Sequence, residues 1–132
     1  MAGWKRRAII AFPHLRRTIE DPRMTIYSLF GDLLAMERMA RATQDMETLH
    51  KIYGFAKWCS HQRNGKDLWN AAGVAFYEHL FDDRTSDWKI VVDNLSAEIV
   101  WANQPLWKSH LAAEDWDCLE RLIAYRVLAG EL

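Results

Sequence analysis

Glu78, His79, Asp82 and Asp83 bring carboxylates and an imidazole into one short stretch, the donor types that a divalent cation takes. On a helix Glu78 and Asp82 stand at i, i+4 and share a face, whereas His79 points about 100° away from Glu78. Without a second histidine on that face, the pair reads more simply as a solvated stripe at a helix end, so Glu78 and Asp82 form a polar candidate and no metal is expected. Arg7 and His14 repeat the loose spacing with which some helical nucleases cut RNA, but Pro13 interrupts the helix that would present both. Cys59 and His61 are two residues apart, and such side chains diverge on a helix. His50 and His110 lie on other segments, with no nucleophile motif beside them. No catalytic residue and no cofactor is expected. A metal-dependent or Arg/His-based phosphoester hydrolase is the alternative reading.

The aromatic residues suggest a different chemistry. Seven tryptophans stand beside four tyrosines and five phenylalanines in 132 residues. Trp4, Trp58, Trp101 and Trp107 fall off the inward stripes of their helices, and exposed tryptophans anchor interfaces at low entropic cost. The leading expectation is therefore a non-enzymatic protein-interaction module, either homodimeric or of inhibitor type. Arg6, Arg7, Arg16 and Arg17 could meet phosphates, but a formal net charge of -1 and the lack of interleaved aromatics argue against specific nucleic-acid binding.

Apolar positions recur at helical spacing almost throughout, and no alternating run is long enough for a strand. The pattern predicts an all-α bundle of about six helices. The first either starts at Pro13 or starts near Trp4 and is kinked there, and it stops at Asp21-Pro22. The second covers Met24 to Ala42, its inner stripe being Ile26, Leu29, Phe30, Leu33, Leu34 and Met39, and its outer face Asp32, Glu37, Arg38 and Arg41. After a polar break at Thr43 to Asp45, Leu49, Ile52, Tyr53, Ala56 and Cys59 mark a third helix ending at Asn64-Gly65. The fourth, 67–81, is apolar around most of its circumference and is expected at the centre, with Trp69, Ala72, Gly73, Phe76 and Leu80 inward. Ser86 or Asp87 caps a fifth helix carrying Trp88, Val91, Val92, Leu95 and Ile99, broken at Asn103-Gln104-Pro105. The last runs from Glu114 to Ala129, with Trp116, Leu119, Leu122, Ile123 and Val127 inward and Gly130 as its stop.

This length suits a single domain over residues 1–132. Cys59 and Cys118 fit no metal spacing and read as reduced core thiols. The apolar run 8–12 is too short for a signal peptide or a membrane span, so a cytoplasmic chain without membrane association is expected.

Four stretches, Phe12-Pro13-His14-Leu15, Ser28-Leu29-Phe30-Gly31-Asp32-Leu33, Ile52-Tyr53-Gly54-Phe55-Ala56-Lys57-Trp58 and residues 68–80, together resemble an uncharacterised family of small helical bacterial proteins, a domain of unknown function. The resemblance implies the all-helical fold and provides no catalytic residues. Through members associated with toxin immunity, it also implies a protein partner.

Overall fold

A computed structural model describes residues 1–83 and 87–132. Short polar side chains set three of its helix starts. Thr25 accepts a hydrogen bond from the Ser28 amide, Asp45 from Thr48 and Ser96 from Ile99, each satisfying a donor that a first turn leaves unpaired. Among the described residues there are eight α-helices and no strand. They gather into two compact units, Met1–Phe76 and Tyr77–Leu132.

The first unit holds α1 (Gly3–Ala11), a 3-10 turn (Pro13–Leu15), α2 (Arg16–Glu20), α3 (Ile26–Thr43), α4 (Met46–Ser60), α5 (Lys66–Ala71) and a π-helical turn (Ala72–Phe76). Pro13 opens its turn, where a missing N–H costs nothing, and so separates α1 from α2. Gln44 reverses the chain after α3 at φ 55, in the left-handed region, and its amide closes onto the Ala40 and Arg41 carbonyls. Helix α4 ends at Ser60, earlier than expected, and Gly65 serves instead as the N-cap of α5. Helices α3 and α4 and the π turn pack together around an aromatic chain. Phe12 meets Phe55 edge-on at 5.9 Å, Phe55 lies 5.8 Å from Phe30, and Phe30 lies 5.6 Å from Phe76. Offset and edge-on contacts of this kind suit the ring quadrupoles.

The segment 67–81 is helical but not one α-helix. It changes from α to π at Ala72 and to 3-10 at Tyr77. Ala71, Ala72, Phe76, Tyr77, Leu80 and Phe81 are buried, as its apolar circumference predicts. The change of pitch rotates the remaining positions, so Trp69 is 45% exposed rather than inward. Gly73 is not a close approach: a Cβ there would meet nothing within 4 Å.

The second unit continues with the 3-10 turn Tyr77–His79, then α6 (Trp88–Asn94), α7 (Ala97–His110) and α8 (Ala113–Leu128). Phe81 is gripped edge-on by Trp88 at 5.4 Å and Trp107 at 4.9 Å. Ser86, one expected cap of the fifth helix, lies outside the described residues. Asp87 holds the N-cap position of α6 without a side-chain cap bond. The break expected at Pro105 falls instead at Leu95-Ser96, and α7 runs through the proline. Pro105 is on the exposed side, where water can satisfy the carbonyl that it leaves unbonded, while Ile99, Val100, Asn103 and Trp107 are buried. On α8 the inward residue near the end is Arg126 and not Val127, which is 41% exposed. Arg126 Nη1 donates to the Val92 carbonyl at 2.5 Å and the Leu95 carbonyl at 2.7 Å, tying down the unpaired end of α6.

Candidate functional site

Polar residues converge at two places, and neither is the helical carboxylate pair expected from spacing. The first is on α3. The stripe Ile26, Leu29, Leu33, continued at helical spacing, lands on Glu37, Ala40 and Arg41, so these two charges enter the core while Met39 is left exposed. Glu37 is 0% and Arg41 1% exposed. The guanidinium grips the carboxylate with both arms, Nε to Oε2 at 2.9 Å and Nη2 to Oε1 at 2.6 Å. From α4, the buried Tyr53 hydroxyl donates to the same Oε2 at 2.7 Å. The bidentate fork and the phenol together compensate a carboxylate taken out of water. With no route for a substrate to these atoms, the cluster orders α3 against α4. Its sequence signal is the i, i+4 Glu–Arg pair lying in phase with the apolar stripe.

The second place is the stretch from Glu78 to Asp82. The 3-10 turn ends at His79, so Glu78 and Asp82 no longer share an α-helical face. Each instead meets a histidine. His110 Nε2, at the end of α7, lies 3.3 Å from Glu78 Oε1, and His79 Nδ1 lies 2.6 Å from Asp82 Oδ2. The result is two separate imidazole–carboxylate pairs on partly exposed side chains. Among the described residues no group of three or more His, Cys, Asp or Glu is arranged to hold a metal ion.

The other reactive candidates also separate. Arg7 lies over the Trp58 ring, 4.7 Å from its centroid, while His14 is exposed in the turn after Pro13. Cys59 is buried and His61 exposed. Burial pushes the Cys59 thiol up to about 12, with Arg7 opposing only weakly, so this thiol is a packing group. Cys118 is exposed on α8 and is not a core thiol.

The four tryptophan candidates divide by burial. Trp107 is inside the second unit, 1% exposed, with Nε1 donating to the Tyr77 carbonyl at 2.8 Å, so it is a core residue of the unit and not a surface anchor. Trp4 and Trp58 are half-buried. Trp101 remains on the surface, 49% exposed. It shares the outer side of α7 with Ala102, Pro105 and Leu106, all exposed, since i, i+4 pairs 101/105 and 102/106 stack along one strip. That apolar strip on the outer side of α7 was visible in sequence only as Trp101, because Pro105 reads as the end of a helix.

No helix among the described residues is long and apolar enough to cross a membrane. No curated protein and no solved structure matches the chain. Over residues 6–100, from α1 into the first turn of α7, it matches a Domain of unknown function (DUF7674), and the chain belongs to that family.

Proposed function

We propose that this protein is a non-enzymatic interaction module, of immunity or inhibitor type or a homodimeric accessory protein, working in the cytoplasm. The observation that carries the reading is the outer strip of α7, where Trp101 and Leu106 stand exposed beside Ala102 and Pro105. A tryptophan fixed on a helix contributes a large contact area at small entropic cost, and such residues dominate binding energy. The aromatic content beyond the two cores supports the same role, as does the dispersal of the polar candidates into separately paired residues.

The test compares wild type with Trp101→Ala/Leu106→Ala in affinity capture, each captured protein being identified and its affinity measured with purified components. The expected result is a partner whose affinity falls at least about tenfold in the variant while the melting temperature is unchanged. A partner bound equally by both proteins would refute the α7 strip as the interface.

A further inference from the structure

The near-zero net charge conceals a division. Residues 1–76 carry twelve lysines and arginines against seven carboxylates, a formal +5, whereas residues 77–132 carry five against eleven, a formal -6. The boundary of the two compact units is also the boundary of charge sign.

The basic unit has a concave face suited to an acidic one. Arg7, Ile10 and Ala11 of α1 and His50, Lys51, Gly54 and Phe55 of α4 line a groove. Phe12 meets Phe55 while Arg7 meets Trp58, so the two helices run antiparallel here and the cations Arg7 and Lys51 fall at opposite ends. Between them lies an apolar floor. Ile10 is 82% exposed, and a Cβ at Gly54 would meet nothing within 4 Å, which leaves the floor open.

The acidic unit carries a matching convex face. On the outside of α8, Asp117, Glu120, Arg121, Ala124 and Leu128 recur at helical spacing and are all exposed, Leu128 at 88%. Two carboxylates and Arg121 lead this face, aliphatic side chains follow, and Glu131 comes just beyond the helix, its carboxylate 3.2 Å from Arg126 Nε and still 55% exposed. Carboxylates outnumber the one exposed cation of this face, Arg121, and the groove has a cation at each end, Lys51 lying 3.4 Å from the exposed Glu47 of its own helix.

We infer that the α1–α4 groove of one copy receives the outer face of α8 of a second copy. Both faces belong to one chain and are present at equal concentration, and opposite fields of this size steer their encounter. The surfaces differ, so the contact is heterologous and is able to extend past two copies. This goes beyond the α7 reading and uses other residues, so Trp101→Ala/Leu106→Ala leaves it unaffected and the two proposals fail separately.

Sedimentation velocity on the full chain tests it, at about 20 mM and about 0.5 M salt, where the screening length shrinks severalfold. Expected is a weight-average sedimentation coefficient that rises with protein concentration at low salt and falls back to the monomer value at high salt. Lys51→Glu and Glu120→Lys are each expected to remain monomeric alone, and to associate when mixed in equal amounts, which shows that both retain their fold. A wild-type chain that stays monomeric at low salt overturns the inference. So does association that survives high salt or either substitution, or a mixture that stays monomeric. If the monomeric protein binds a single-stranded oligonucleotide through Lys51, the groove serves nucleic acid and the inference is likewise wrong.

Discussion

Glu37, Arg41 and Tyr53 show how one buried charge constrains its neighbours. A carboxylate with no access to water is stable only while its oxygens are occupied, and here a guanidinium fork and a phenol occupy them. Arg41→Met strands Glu37 and is expected to cost about 3–5 kcal/mol. The double variant Glu37→Leu/Arg41→Met removes both charges and is expected to recover most of that loss, which urea unfolding of the three proteins measures. Asp45 acts at the surface. Its carboxylate accepts from the side chain and the amide of Thr48, and these bonds hold its pKa below the ordinary 3.8, with Lys51 adding slightly. A depressed carboxylate stabilises the fold above its unfolded pKa, and the contribution is lost as pH falls through the lower folded value. Asp45→Asn keeps a capping oxygen without the charge, so the melting temperature of the variant is expected to fall less steeply than wild type below about pH 4. Parallel curves for the two proteins would refute this.

Helix α7 stays α-helical through a residue that breaks helices, whereas the segment after α5 changes pitch without one. In α7 the burial of Ile99, Val100 and Trp107 outweighs a proline that local preference would place at a helix end. Pro105→Ala restores the missing donor to the Trp101 carbonyl and removes the ring from the preceding turn. The expected gain is about 1–3 kcal/mol, read as a higher melting temperature. In the segment after α5, pitch widens to π at Ala72 and tightens to 3-10 at Tyr77, and buried positions are served at both ends. Tyr77 and Phe81 belong to the second unit, where Trp107 donates to the Tyr77 carbonyl and packs on Phe81. A regular α-helix from 67 to 81 would place Trp69 with Phe76 and could not distribute its apolar residues in this way.

At the scale of the whole chain, charge sign and compact unit coincide. A protein of pI ≈ 6.5 built from a +5 half and a -6 half has little net repulsion to keep copies apart near neutrality. Its solubility at low ionic strength is expected to pass through a minimum near that pH and to rise as salt is added, which light scattering across a salt series would show; turbidity that grows with salt would contradict it. Much of the fold was legible from residue order. The all-α class, the cap at Asp45, and the burial of Phe76 and Leu80 follow from period, polarity and short capping side chains, which act over one or two turns. Even the entry of Glu37 into the core follows the stripe of α3, although its charge hides it. Tertiary structure alone decided that Glu78 would be drawn away from Asp82 to His110, at the far end of another helix. It also decided that Trp107 would turn inward while Trp101 stayed out, and that α7 would continue through Pro105. Each of these outcomes depends on groups distant along the chain or on the sum of burial over a whole helix, and local spacing carries neither.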